Sequence, residues 1–471
     1  MDQTPVLANL GQAAITGVTI TPVAFKDPPL LNTVGVHEPF ALRAIVEVHT
    51  DAGVSGLGET YGDEAHLARL QAAARSLPGT DIFNINQLRA KVAAVLAVDT
   101  SQGGHGMSGM VTGSSTTDRV LSPFDVAALD IQGKLLGRPV NDLLGGAVRE
   151  AVDFSGYLFY KWAGHPGAEA DSWGEALDPQ GIVEQARRMV RDYGFTALKL
   201  KGGVFEPRQE IAAIKALRAE FPGLPLRLDP NAAWTVETSI RVGRELDGVL
   251  EYLEDPTPGI DGMAQVRREV PMPLATNMCV VSFADVAPAV AAGAVDVILS
   301  DHHFWGGLRR SQTLAGITDT FGLGLSMHSN SHLGVSLAAM VHLAAATPNL
   351  DYACDTHWPW KDPEEDVILP GSLEFNDGAV AVPTLPVIVK LPSTQTTPPM
   401  LGPSAGASTT PMPNMATAMK SVLPSATAAI GTQCPKARSP GRSGLRSSER
   451  ISPCSASAVT VLPRVTSLSC S

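Results

Sequence analysis

Apolar and polar positions in the first part of the chain alternate as they do in strands. Segments 16–25 (TGVTITPVAF), 41–50 (ALRAIVEVHT) and 54–60 (VSGLGET) carry this pattern, the last two joined by a turn at Asp51-Ala52-Gly53. In 41–50, Ala44, Val46 and Val48 alternate with Ile45, Glu47 and His49, which suits a sheet with one wet face. Helical periodicity follows over 64–77 and 85–97. A Gly/Ser-rich stretch from Ser101 to Ser115 lacks the Lys-Ser/Thr ending and flanking strand of a phosphate-binding loop, and reads as a mobile lid or surface loop. After Ser122-Pro123, FDVAALDIQGKLLG has the pattern of an amphipathic helix with an N-cap before it and a glycine stop after it.

From about residue 151 short apolar strands alternate with helical segments. The strands are DFSGYLFY, TALKLK, PLRLD, LEYLE, PLATN, VDVILSD, LGLSMH and LDYACDTH, and eight strand–helix units make the count of a (β/α)8 barrel. Seven of them end in polar residues: Lys199 and Lys201, Asp229, Glu254, Asn277, Asp301, His328, and Asp355 with His357. From Lys201 onward the spacings are 28, 25, 23, 24, 27 and 27 residues, which puts one polar group per strand at one height. In a barrel those ends form the active-site face. Asp, Asn and His commonly open turns, but turn chemistry explains poorly why two lysines and a glutamate stand there too.

Composition adds a boundary near Pro392. Residues 393–471 contain 15 Ser, 10 Pro and 10 Thr, no Phe, Trp or Tyr, one acid and seven bases. This segment reads as a disordered tail of charge +6 on a chain of formal charge −12, so residues 1–392 hold −18. Such an acidic body argues against a general affinity for nucleic acid. With no uninterrupted apolar run of about 18 residues and no signal-peptide pattern at the N-terminus, the sequence predicts no membrane partner and a cytoplasmic protein. Only Cys279 and Cys354 lie in the body, too few for a disulfide framework or a CxxC metal site.

Asp229, Glu254 and Asn277 sit on three consecutive strand ends and offer oxygen ligands alone, a set that suits Mg²⁺. Asp261, just beyond the fourth strand, is the alternative to Glu254 as second carboxylate. Zinc through His328 and His332 is disfavoured, because no HExxH pattern accompanies them. Lys199 and Lys201, two apart on a strand, point to one face, and each ammonium favours the neutral form of the other, bringing a lysine towards about 7 to 8. Asp301 and His328 are read as a carboxylate–imidazole pair that raises the basicity of the histidine and fixes its tautomer. Two bases facing each other across a metal suit removal of a proton next to a carboxylate, with the metal and Lys199 stabilising the enediolate.

The strings GYLFY, LKLKGG, RLDPNAAW, EDP, ATNM, SDHHFWGG, MHSNSHLG and CDTHW together resemble the enolase superfamily, of the mandelate racemase and muconate lactonizing enzyme kind, and within it the glucarate dehydratases. The resemblance covers about residues 15–390. It implies an α+β capping domain over 1–148, a modified (β/α)8 barrel over 149–392 and the tail over 393–471. By that resemblance Asp229, Glu254 and Asn277 bind Mg²⁺, Lys201 is one general base, and His328 with Asp301 the other. It further implies substrate contacts from His37, Thr112 in the lid, Tyr157, Lys199, Asn231, Asn277, His328, Ser329, Asn330 and His357. The activity implied is dehydration of D-glucarate to 5-dehydro-4-deoxy-D-glucarate, in a homo-oligomer acting on a small acid sugar. Galactarate or an aldonate is the alternative substrate, and an inactive binding relative the alternative role. That last reading comes from the C-terminus: the match stops near Val389, before the segment in which these dehydratases carry a substrate-binding Arg. The run LPVIVKLPSTQ reads as a chain continued out of phase, as a frameshift would leave it.

Overall fold

A computed structural model of the chain describes residues 13–98 and 113–384. Thr112, most of the expected lid and the whole tail lie outside the described residues. The first part holds β1 (Ile15–Lys26), the short pair β2 (Leu31–Asn32) and β3 (Gly35–Val36), β4 (Phe40–Thr50) and β5 (Ser55–Tyr61). Helices α1 (Glu64–Ser76), α2 (Ile85–Leu96), α3 (Gly113–Leu136) and α4 (Val140–Leu143) follow. β1, β4 and β5 form an antiparallel sheet in that order. Ala44, Val46 and Val48 bury one face of β4 with Leu70, Val92 and Leu121 of the helices. The other face is not wet along its length. Arg43 and Ile45 are buried, and Ile45 joins the core of the second part together with Tyr61.

The sequence placed a helix start at Ser122-Pro123, but α3 begins at Gly113 and carries Pro123 in its interior. Pro123 removes one helical hydrogen bond. Upstream of it, buried Val120 and Leu121 pack with Phe124 in the cap core and extend the helix through the proline. α3 lies directly on β5: a Cβ on Gly56 would fall 2.1 Å from the Ala127 carbonyl oxygen, and one on Gly58 2.1 Å from that of Pro123.

The second part alternates β6 (Ala151–Phe159), α5 (Pro179–Tyr193), β7 (Leu198–Lys201), α6 (Pro207–Glu220), β8 (Leu226–Asp229), α7 (Val236–Glu245), β9 (Tyr252–Glu254) and α8 (Gly259–Arg267). It continues with β10 (Leu274–Thr276), α9 (Phe283–Ala292), β11 (Val297–Ser300), α10 (His302–Trp305), α11 (Leu308–Phe321), β12 (Gly324–Met327), α12 (Gly334–Ala345) and β13 (Cys354–Thr356). β6 to β12 pair in parallel in chain order, and β13 returns to pair with β6. The fold is therefore a (β/α)8 barrel-like domain behind an N-terminal cap. Alternation within each short strand sorts the side chains: Leu198, Leu200, Leu226 and Leu228 pack in the core, while Lys199 and Lys201 gather with Asp229.

The eighth strand is not followed by a helix among the described residues. Two 3₁₀ turns (Trp358–Trp360 and Pro363–Glu365) and a hairpin, β14 (Phe375–Asn376) with β15 (Ala379–Ala381), take its place, and β15 pairs antiparallel with β6. Pro359 and Pro363 supply no backbone N–H and restrict the residues before them, which disfavours a continuous helix through this stretch. Among the described residues no helix is long and apolar enough to cross a membrane.

Candidate active site

Lys199 lies inside three carboxylates. Its Nζ is 2.6 Å from Glu254 Oε2, 2.7 Å from Asp355 Oδ2 and 3.4 Å from Asp229 Oδ2, and all four side chains are fully buried. Burial alone would lower its pKa, but Asp355 and Glu254 win and hold the ammonium well above its ordinary value. The expectation of a lysine brought down by its neighbour Lys201 is thus reversed for Lys199: the nearest charges are carboxylates. Lys201 Nζ donates to Asp229 Oδ2 at 2.6 Å. Asp229 Oδ1 accepts the backbone N–H of Asn231 at 3.0 Å and its side-chain amide at 3.1 Å. Against the burial that would raise it, Lys201 and Lys199 keep Asp229 ionised.

Glu254 is in the opposite condition. Burial, and then the charge of Asp229, push it well above the carboxylate range. Among the described residues its Oε1 has no hydrogen-bond partner, nor have Oδ1 of Asn277 and Oδ1 of Asn231, all buried. Asn277 is held in place by Asp255, which accepts from the backbone N–H groups of Asn277 and Met278 and from the Thr276 hydroxyl. Asp229, Glu254 and Asn277 therefore form a buried all-oxygen set in which Glu254 and Asn277 keep unpartnered lone pairs, and they fit a hard divalent cation. Asp255, Asn231 and Ala232 have φ of 38°, 50° and 58°, left-handed backbone on two loops beside this set.

On the sixth and seventh strand ends, His328 Nδ1 faces Asp301 Oδ2 at 3.5 Å, longer than a good hydrogen bond. Asp301 gives its other oxygen to His303, accepting from Nδ1 at 2.7 Å and from the backbone N–H at 2.9 Å. Burial would raise Asp301, but His303 and His328 keep it well below the usual range. His328 departs from expectation: burial, with Lys199 and Lys201 nearby, outweighs Asp301, and its pKa is lowered rather than raised. His332 is no partner for a shared zinc, since its ring nitrogens lie 3.1 Å from the Leu333 carbonyl oxygen and 3.3 Å from the Thr356 hydroxyl.

A cavity of about 790 Å³ opens over these strand ends. Lys201, Asn231, Asn277, His328, Asn330, His357 and Tyr157 line it from the barrel, and His37, Phe40, Arg43 and Tyr61 from the cap. His37 is oriented by Asp27, 3.0 Å from its Nδ1, and Asp27 also accepts from Ser331.

Two family profiles match the chain: the mandelate racemase / muconate lactonizing enzyme N-terminal domain over residues 15–145, and the enolase C-terminal domain-like family over 181–386. A probable glucarate dehydratase of Streptomyces coelicolor is 54% identical over 380 residues, 79% of this chain and 87% of that one. The chain belongs to the enolase superfamily. Other superfamily relatives include the L-talarate/galactarate dehydratase of Salmonella typhimurium, 26% identical over 354 residues that cover 73% of this chain and 79% of that one. An enolase from Mycobacterium smegmatis, solved with tartrate, is 65% identical with a TM-score of 0.77, and the match covers 80% of this chain and 89% of that one. One from Gibberella zeae, solved with magnesium, formate and sulfate, is 60% identical with a TM-score of 0.78 and the same coverage. The chain is an enolase-superfamily enzyme, a dehydratase of the hydro-lyase class.

Within this enolase-superfamily site the structure brings together Lys199, Lys201, Asp229, Glu254, Asn277, Asp301 and His328, with His37, Tyr157, Asn231, Asn330 and His357 at the cavity. It does not bring in Asp261, which is exposed in the first turn of α8. Ser329 is buried, but its hydroxyl donates to the backbone of Asp355 at 3.1 Å, and Asn330 donates to the Tyr61 hydroxyl at 2.9 Å. Sequence reasoning missed Arg43, Glu59, Asp255 and His303. His303 stood in the quoted SDHHFWGG string, and the EDP string held Asp255; Arg43 and Glu59 sit in a strand pattern that signals packing alone.

Proposed function

We propose that the chain is an acid-sugar dehydratase that converts D-glucarate to 5-dehydro-4-deoxy-D-glucarate. The observation that carries this reading is the buried cluster of Lys199 with the carboxylates of Asp229, Glu254 and Asp355, beside two candidate bases, Lys201 and His328, on one cavity. Its likeness at 54% identity to a probable glucarate dehydratase supports the diacid substrate. Asp229, Glu254 and Asn277 would hold Mg²⁺, which supplies positive charge to the substrate carboxylate and to the enediolate. An amide in place of a third acid makes the set less negative, which favours a dianion. The Lys199 ammonium, kept charged by its carboxylates, adds a donor to the same negative charge.

In the proposed sequence neutral His328, with Nδ1 towards Asp301, removes the proton next to the bound carboxylate. The resulting imidazolium then protonates the hydroxyl on the next carbon, which departs as water, and the enol so formed becomes the ketone. Lys201 serves the epimeric diacid L-idarate from the other face. Asn231 positions Asp229, and His37, set by Asp27, stands at the cap side of the cavity for the distal part of the substrate. The test is a screen of the purified chain with Mg²⁺ against diacid and monoacid sugars. Turnover of D-glucarate is the expected result, and turnover of an aldonate or galactarate alone would replace it.

A further inference from the structure

Asp301 divides its two oxygens between two histidines, and the division is set from the cap. His303 Nε2 lies 2.9 Å from Arg43 Nη2 and 2.9 Å from Ser336 Oγ. A guanidinium only donates, so Nε2 carries the lone pair and the ring proton sits on Nδ1, where it is given to Asp301 Oδ1. Arg43 comes from β4 of the cap. It is fixed by Glu59, whose Oε1 accepts from Arg43 Nε at 2.9 Å, and by the Tyr61 ring, 4.7 Å from its guanidinium carbon. Glu59 accepts in turn from the backbone N–H groups of Leu333 at 2.9 Å and Ser336 at 2.8 Å, at the start of α12. Arg43, Glu59, His303, Ser336, Asp301 and His328 are all at most 4% exposed. Water therefore competes little for any of these bonds.

We propose that Arg43 and His303 are positioning residues for the His328 base: the cap's guanidinium fixes the proton of His303 on Nδ1, His303 pins one oxygen of Asp301, and the other oxygen is left to orient His328. Without the guanidinium, His303 is free to move its proton to Nε2 and to turn a lone pair towards Asp301, which then rotates away from the geometry that serves His328. Among the described residues neither has a hydrogen bond or ion pair with Lys201, whose partner is Asp229, so the lysine face should depend on them less than the histidine face does. The inference rests on the reading of His328 as the base for D-glucarate.

The test compares the two faces in His303→Phe, which keeps a ring but no donor, and in His303→Asn, which keeps a donor for Asp301. In His303→Phe, kcat for D-glucarate should fall about ten- to a hundredfold with KM little changed, while exchange of the L-idarate proton in D₂O continues at the wild-type rate. The acid limb of the D-glucarate profile should also move to higher pH, because Asp301 then faces no second imidazole and keeps only the backbone N–H of residue 303 on its other oxygen. The other charged or titratable groups bearing on His328 are Lys199, Lys201, Asp355 and His357, and those bearing on Asp301 are His302, Tyr61 and Arg119; all stay in place. His303→Asn should recover most of kcat. Equal losses on both faces, or an unmoved acid limb with full D-glucarate turnover, would overturn the proposal.

Should His303→Phe fail to fold, Arg43→Lys, which keeps the charge beside Glu59 but not the fork, is compared on both faces and is expected to lose more kcat for D-glucarate than for L-idarate exchange, since Arg43 borders the cavity that both share. Failure of the functional reading shows separately, as a wild-type chain that turns over no acid sugar. In that case ¹⁵N-imidazole spectra decide the positioning role: the His328 titration midpoint rises in His303→Phe if it is right and stays in place if it is wrong.

Discussion

Glu254 and Asp229 illustrate how burial makes a carboxylate depend on its nearest charge. Asp229 has Lys201 and Lys199 and stays ionised, while Glu254 has one free oxygen and a charged neighbour. A bound Mg²⁺ would favour the ionised form of Glu254 and use its free oxygen. Glu254→Gln should therefore abolish Mg²⁺ binding in calorimetric titration, and Asp261→Asn, on an exposed turn, should leave it unchanged. The reverse result would return the second-ligand role to Asp261. For His328, burial depresses the pKa, so the ring gains its proton only below its ordinary value near 6.5. As a base it works unprotonated, so kcat/KM for dehydration should be full at pH 7 and fall on the acid side below about 6.5. A limb at or above that value would mean that Asp301 outweighs burial. The inward positions of the strands were legible from period-two alternation and even spacing. The network behind them was not, because Arg43 and His303 meet across 260 residues and Glu59 and Leu333 across 274. No local pattern records such a meeting.

Helix α12 starts at the cap. Its N-cap residue, Leu333, has no capping side chain of its own, and Glu59 of β5 accepts two backbone N–H groups there instead. The cap and barrel are thus joined by a buried carboxylate, paired with Arg43 inside the cap, at a helix terminus where negative charge is favoured. At the other contact of β5, glycine is required for close approach. Gly58→Ala would drive a Cβ into the Pro123 carbonyl, and we expect a loss of about 1–3 kcal/mol in urea unfolding, whereas Gly223→Ala, with open space around it, should cost far less. Equal stabilities would show that α3 can shift off the sheet freely. The eight barrel strands were readable because each is a short apolar run, seven of them ending in a polar residue. The start of α3 was not, since a proline that normally opens a helix here sits inside one that tertiary packing extends. The hairpin after β13 was missed for a related reason: its strands are two and three residues long and acquire their pairing from β6, far upstream.

At the scale of the whole molecule, the sequence divides into an acidic body and a basic Ser/Pro/Thr-rich terminus that lies outside the described residues. Truncation after Pro392 should leave the thermal midpoint unchanged in scanning calorimetry, and a lower midpoint would give the terminus a part in folding. Cap, barrel and the ring of site residues were foreseeable as a set. What ties cap to base, the Glu59–Arg43–His303–Asp301 chain, arises only when the two parts pack. The most direct measurement is ¹H NMR of the purified full chain incubated with D-glucarate, with Mg²⁺ present or removed by EDTA. The account predicts conversion to 5-dehydro-4-deoxy-D-glucarate with Mg²⁺, loss of conversion with EDTA and its return on adding Mg²⁺ back; conversion indifferent to EDTA, or none of any acid sugar with Mg²⁺ in excess, would contradict it.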